Sequence, residues 1–151
     1  MTIVIINGPN LNRLGMRKPE IYGTKTMAQI LLDIQQQWPE VHFVYRQSNH
    51  EGDLIDFIQE ANQWTMDNGQ WTKELFDGIV INAGGYSHTS VALRDAIEES
   101  EVPVVEVHIS DITQRESFRR VDLLKDVCAK TILGVGTDCY AQAVNYLMNN
   151  E

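Results

Sequence analysis

Cysteine is scarce in this chain. Cys128 and Cys139 are the two present, with no CxxC spacing, which excludes a disulfide scaffold and fits a reducing compartment. Long apolar runs are missing too, and no stretch approaches the ~18–20 apolar residues that span a bilayer. Met1 to Asn7 is apolar but short, lacks a basic leader and runs into Gly8-Pro9 instead of a cleavage-site pattern, so a cytoplasmic protein is expected. Cations are outnumbered, 12 Lys and Arg against 21 Asp and Glu, and a formal charge of -9 disfavours nucleic acid as a partner. No GxxxxGK[ST] phosphate loop and no GxSxG elbow occurs. The segment Gly134-Val135-Gly136-Thr137 starts like a dinucleotide loop, but position 139 is Cys and the strand before it is the last. His42, His50, His88 and His108 have no HExxH or CxxC companions, so neither a metal nor a cofactor is expected.

What remains is a chain of 151 residues, the size of one domain, and 43% of it is apolar, enough for a core without disulfide or metal staples. Residues 1–151 are read as a single catalytic domain, because nothing repeats and no linker interrupts the pattern. Half of the cations, Arg13, Arg17, Lys18, Arg115, Arg119 and Arg120, fall in two windows of six residues. A solvated surface is the plain reading of either window alone. Two such windows on an acidic protein suit a small anionic ligand better than a polyanion.

Apolar patterning alternates between strand runs and helix periods. Thr2–Asn7 is a β-branched run of the kind buried on both sheet faces. Met27, Ile30, Leu31, Ile34 and Trp38 recur at helical spacing behind Thr26, a candidate N-cap. Residues 41–45 form a second strand, and Leu54, Ile55, Ile58, Ala61 and Trp64 a second helical stripe. Residues 78–82 and 103–109 give two more strands around a helix carrying Val91, Ala92, Ala96 and Ile97. A short helix over 118–128, a fifth strand over 131–135 and a last helix over 138–148 complete the order. The segment 63–73 fits neither period and is read as a helix end plus a loop. Five strands alternating with helices predict an α/β fold with a flavodoxin-like doubly wound parallel sheet, whose ligands sit beyond the strands' carboxyl ends.

Polar residues collect at that edge. Asn7-Gly8-Pro9-Asn10 follows the first strand, Gln47-Ser48-Asn49-His50 the second, and Asn82-Ala83-Gly84-Gly85-Tyr86-Ser87-His88 the third. The fourth carries Glu106 and His108, then Ser110 and Asp111. Each loop alone is ordinary turn chemistry; their joint occurrence points to a site. Glu106 and His108, two apart on a strand, share one face inside an apolar run. A buried carboxylate needs a partner, and fixing an imidazole for proton transfer supplies one. The other reading of the pair is a structural ion pair at a strand end. Residues 8–23, rich in Gly, Pro and cations, are too irregular for a helix and read as a mobile loop that closes over a substrate. Within it, Arg17 lies five residues before Tyr22. Free tyrosine is a poor base at neutral pH, with a pKa near ~10, unless cations stabilise the phenolate. That makes Tyr22 a candidate base.

In order, these residues resemble the type II dehydroquinase signature. The blocks are Gly8-Pro9-Asn10-Leu11 with Leu14-Gly15, Arg17, Pro19 and Tyr22-Gly23; Asn82-Ala83-Gly84-Gly85 with His88-Thr89-Ser90 and Ala92-Leu93-Arg94-Asp95; and Glu106-Val107-His108-Ile109-Ser110 with Arg115-Glu116 and Phe118-Arg119. The resemblance implies cofactor-independent conversion of 3-dehydroquinate into 3-dehydroshikimate and water, by anti elimination through an enolate. It implies Tyr22 as base supported by Arg17 and Arg115, and Asn10 holding a water against the enolate oxygen. His108 would be general acid, oriented by Glu106 and assisted by Asn82. Ser110, backbone N–H groups near Ile109, and Arg119 would grip a substrate carboxylate or hydroxyl, and His88 another hydroxyl. It further implies a homododecamer built from trimers, in which Asp95 reaches the neighbouring subunit's site.

Three positions depart from that pattern. Lys18 stands where the family usually has Gln, Glu or Asp; Asp111-Ile112-Thr113-Gln114 replaces a stretch that begins with Asn; and 63–73 is longer than the norm. Three other functions compete. An inactive relative would bind without turnover, yet a mere binder needs no base. A Schiff-base lyase needs a desolvated lysine, whereas Lys18, Lys25, Lys73, Lys125 and Lys130 lie in loops or polar contexts. A flavin or phosphate carrier lacks its phosphate loop.

Overall fold

A computed structural model describes residues 1–150. Five strands form a parallel sheet: β1 (Thr2–Asn7), β2 (His42–Gln47), β5 (Gly78–Asn82), β6 (Val104–Val107) and β7 (Lys130–Ile132). Their order is β2-β1-β5-β6-β7. Counted within the sheet this is 2-1-3-4-5, the doubly wound flavodoxin-like order expected from the sequence, with its switch point between β1 and β5. Helices α2 (Met27–Gln37) and α5 (Asp138–Asn149) cover one face, and α3 (Glu51–Ala61) and α4 (Val91–Glu99) the other.

Strand periodicity decides which residues meet which layer. Ile3, Ile5, Val80, Val105 and Val107 point to the α2/α5 side, where they meet Ile30, Ile34, Tyr140 and Val144. Val4, Ile6, Ile79, Ile81 and Val104 point the opposite way, against Leu54, Ile58, Leu93, Ile97 and Leu124. Every one of these strand residues is at most 3% exposed, and each buried Ile, Leu or Val contributes about 1.5–3 kcal/mol. The predicted N-cap of α2 forms as a capping box. Thr26 Oγ1 accepts the Gln29 N–H at 3.3 Å, and the Thr26 N–H donates to Gln29 Oε1 at 2.8 Å.

Several expectations require correction. Residues 63–73 are neither helix end nor plain loop: β3 (Asn62–Asp67) and β4 (Gln70–Leu75) make a separate antiparallel hairpin. Asn68 and Gly69 at its tip both have positive φ, 50° and 78°, the conformation of a two-residue turn matched to strand twist. Trp64 therefore leaves the α3 stripe and is exposed. No helix spans 118–128. A 3-10 turn at Ser117–Arg119 is followed by irregular chain, because the Leu123 N–H is drawn to Ser87 O at 2.8 Å and the Leu124 N–H to Asp122 Oδ1 at 3.0 Å. The last strand is shorter than 131–135. The 8–23 loop is also more ordered than read, with a 3-10 turn at Leu11–Arg13 and one helical turn, α1 (Pro19–Tyr22), pinned by buried Leu11, Leu14 and Tyr22.

Candidate active site

Where β1, β5 and β6 end, the chain turns away from the sheet and leaves a cavity of about 180 Å³. Gly8 makes the approach of two of these turns possible, since a Cβ there would lie 2.5 Å from the Ala83 carbonyl oxygen. The lining includes Asn10, Arg17, Tyr22, Asn82, His88, His108, Ile109, Ser110, Arg115 and Arg119. These come from three separate stretches of chain, brought together at the switch point. A larger open groove of about 640 Å³ lies between the end of α2 and α5, but among the described residues Lys130 and Asp138 are its only charged lining, and no acid–base pair converges there.

One wall holds the tyrosine. Arg115 Nη1–H donates to Tyr22 Oη at 2.9 Å, and the Arg17 guanidinium carbon lies 4.6 Å from the ring centroid. Two cations thus converge on one phenol, one along its oxygen and one over its face. Arg115 belongs to the second cationic window and is 93 residues from Tyr22, so the two windows of the sequence meet here.

A second wall holds the imidazole. Glu106 is fully buried and His108, just beyond β6, is 5% exposed. His108 Nε2–H donates to Glu106 Oε1 at 2.8 Å, and Thr131 Oγ1–H donates to Glu106 Oε2 at 3.1 Å. Glu106 is thereby satisfied at both oxygens, and Nδ1 of His108 is left for the cavity. Asp122 Oδ2 lies 3.6 Å from His108 Nε2, and its side chain is 4% exposed. Burial disfavours the imidazolium, but Asp122 and Glu106 outweigh it and push His108 up to about 9. Burial likewise holds the Glu106 carboxyl above its ordinary value, with His108 opposing. Burial also works against Asp122 as an anion, yet His108 and the Leu124 N–H hold it below the ordinary carboxylate value.

All the other expected residues except Asp95 line the same cavity. Asn82 lines the cavity from the end of β5, with Nδ2 donating to Tyr140 Oη at 3.2 Å and Oδ1 accepting the Gly84 N–H at 3.2 Å. His88 is steered by its Nδ1, 2.6 Å from the Val121 carbonyl oxygen, with its ring 6.4 Å from that of His108. Asn10 is held in the left-handed region, φ 69°, and its N–H donates to Asn49 Oδ1 at 3.0 Å. Ser110, Ile109 and Arg119 complete the lining, Arg119 Nε donating to Glu116 Oε2 at 2.9 Å. Asp95 is exposed on α4 and does not reach this cavity. Two of the departures also stay outside it: Lys18 is exposed, and Asp111 Oδ1 is occupied by the Thr113 N–H at 3.0 Å as the cap of a 3-10 turn.

Asp122 was absent from the sequence reading. It falls in the 118–128 segment that the pattern assigns to a short helix. The available signal was the Val-Asp-Leu-Leu run, in which a lone Asp can bond the backbone two residues on and stop a helix.

A doubly wound α/β protein that gathers a tyrosine between two guanidinium groups and a carboxylate-held imidazole around one cavity has the layout of an acid–base enzyme. The comparisons place it more narrowly: the model of the family Dehydroquinase class II matches residues 1–148, and the chain belongs to that family. It is 43% identical over 148 residues to the 3-dehydroquinate dehydratase of Bacillus pumilus, covering 97% of this chain and 93% of that one. It is 45% identical over 153 aligned residues to that of Fusobacterium nucleatum, covering 98% and 97%. The crystal structure of the type II dehydroquinase from Butyrivibrio crossotus superposes with a TM-score of 0.87 at 40% identity, covering 99% of this chain and 98% of that one.

Proposed function

We propose that this protein is a 3-dehydroquinate dehydratase acting in the cavity at the switch point, with residues 1–151 as one catalytic domain. The carrying observation is that a cation-flanked tyrosine and a carboxylate-held histidine line the same cavity. Family membership supports the substrate, a small anion, as do the three arginines Arg17, Arg115 and Arg119 in the lining.

The chemistry asks for two proton movements. A hydrogen on the carbon beside the ketone must go to a base, and the departing hydroxide, a poor leaving group, must receive a proton. Tyr22, as phenolate, takes the first proton; the positive charges of Arg115 and Arg17 face the oxygen and ring that carry the negative charge beforehand. An enolate results, and a water held by Asn10 hydrogen-bonds its oxygen. His108 then gives its Nδ1 proton to the leaving hydroxyl, which departs as water by anti elimination, while Glu106 keeps the ring oriented through Nε2 and Asn82 assists. His88, Ser110, the backbone at Ile109 and Arg119 position the substrate's hydroxyls and carboxylate. No step needs a metal or an organic cofactor.

The active assembly is proposed as a homododecamer, with Asp95 of one subunit completing the site of its neighbour; its exposure on α4 leaves it free for that contact. Light scattering of the purified protein tests the assembly. The activity itself is tested by adding 3-dehydroquinate and following enone absorbance in the ultraviolet, with and without a chelator. A chelator-resistant rise is expected. Binding by calorimetry with no rise would reassign the protein as an inactive relative.

A further inference from the structure

We propose that Asp122 is a second positioning carboxylate of the acid site, the counter-charge that keeps His108 in its doubly protonated form. This inference deepens the dehydratase reading and rests on it for its kinetic consequence, though not for its titration.

Asp122 Oδ1 is occupied by the Leu124 N–H at 3.0 Å, while Oδ2 is buried without a hydrogen-bond partner among the described residues. A buried, unbonded carboxylate oxygen is costly and is retained where something offsets it. What faces Oδ2 is His108 Nε2, at 3.6 Å. That nitrogen carries one hydrogen, and the hydrogen is already directed to Glu106 Oε1 at 2.8 Å. Asp122 therefore acts on the ring as a charge and not as a second acceptor. An imidazolium offsets that buried charge, whereas a neutral ring brings Oδ2 no net counter-charge.

The surroundings agree. Ligand atoms of Glu106, His108 and Asp122 all lie within 4.8 Å of one another. Two carboxylates that close repel, and a cation between them relieves the repulsion. The other titratable neighbours on this side are His88, whose ring centroid is 6.4 Å away, and Cys128, whose thiol is pushed up by burial and by both carboxylates and stays neutral. The Thr131 hydroxyl bonds Glu106 and leaves Asp122 untouched. On the cavity side, the charged groups that share the lining with His108 are Arg17, Arg115 and Arg119. With Glu106 alone, a buried ring would hold its second proton less firmly. Asp122 supplies the missing anion, so the acid stays loaded into the mildly alkaline range.

The test is the His108 ring titration, followed by NMR of protein carrying ¹³C-labelled histidine and assigned with a His108→Gln sample. In the wild type the midpoint is expected well above the ordinary value of about 6.5. In Asp122→Asn, which keeps an acceptor for the Leu124 N–H, it is expected to fall by at least one pH unit, a tenfold loss of proton affinity. The alkaline limb of the kcat profile should fall by the same interval, with KM at pH 6.5 unchanged. A merely structural role would lower the melting temperature and move neither midpoint nor limb. A wild-type midpoint at or below 6.5, or an Asp122→Asn midpoint within 0.3 unit of it, overturns the proposal, and the wild-type reading does not depend on the variant folding. If the titration behaves as expected but 3-dehydroquinate is not turned over, the dehydratase reading fails and the role of Asp122 at the ring stands.

Discussion

Replacing Tyr22 by Phe removes one atom at the centre of the proposed base, and the structure sets what that atom does. The ring is 8% exposed and the guanidinium of Arg17 rests over its face at 4.6 Å, contacts that phenylalanine keeps. The hydroxyl makes one protein hydrogen bond, from Arg115 at 2.9 Å. Losing it costs about 1 kcal/mol of stability, because the Arg115 side chain, 14% exposed, regains some contact with water. Turnover should fall far more. A positioned base contributes about a hundred- to ten-thousand-fold, or about 3–5 kcal/mol of barrier. The steady-state enone assay should therefore show kcat reduced by two orders of magnitude or more, with KM within about threefold, since the cations and the polar lining persist. A thermal melt of the same sample separates loss of chemistry from loss of fold. A folded Tyr22→Phe enzyme with wild-type kcat would refute the base assignment and the reasoning from the arginine pair.

Further outcomes follow from other parts of the site. His108→Ala should lose about a hundredfold or more in kcat with little change in KM; a rise in KM alone would make His108 a binding group. Arg17→Ala should reduce kcat by on the order of a hundredfold while 3-dehydroquinate still binds by calorimetry, and unchanged kcat would remove Arg17 from the catalytic set. Because folding raises His108 from about 6.5 in the unfolded chain to about 9, its stabilising contribution is complete below the lower value and disappears as pH rises through the upper one. Urea unfolding across that window should show the wild type losing stability relative to His108→Gln, and parallel curves would contradict the shift. Gly8→Ala should destabilise by about 1–3 kcal/mol, because its Cβ would meet backbone at 2.5 Å, whereas Gly52→Ala, with nothing within 4 Å, should be neutral or stabilising in the same melts.

Much of the fold was legible because its strands are buried on both faces. Thr2–Asn7 and Gly78–Asn82 read as continuous apolar runs and form β1 and β5 over those residues. Thr26, Ile30 and Ile34 fix α2 through local signals that tertiary context leaves intact. The hairpin at 62–75 was missed although Trp64 and Met66 alternate with polar residues and Asn68-Gly69 marks a tight turn; a single Trp at helical distance from Ala61 masked the period of two. The 118–128 helix failed for a different reason. Phe118, Val121 and Leu124 have helical spacing, but Asp122 and Ser87 capture the backbone N–H groups a helix would use. The same misreading hid the carboxylate beside His108. Within the cavity, the pairing of Glu106 with His108 could be read from strand geometry, whereas that of Arg115 with Tyr22 depends on two loops meeting and has no local signature.

The central claim, that base and acid in one cavity remove a proton and a hydroxyl in the anti sense, is tested most directly with 3-dehydroquinate deuterated on one face of the carbon beside the ketone. Mass spectrometry of the 3-dehydroshikimate formed reads the outcome. Loss of the label anti to the departing hydroxyl, with retention of a label placed syn, is the predicted result. Loss of the syn label, or product formed only after borohydride-sensitive attachment to the protein, would contradict the account.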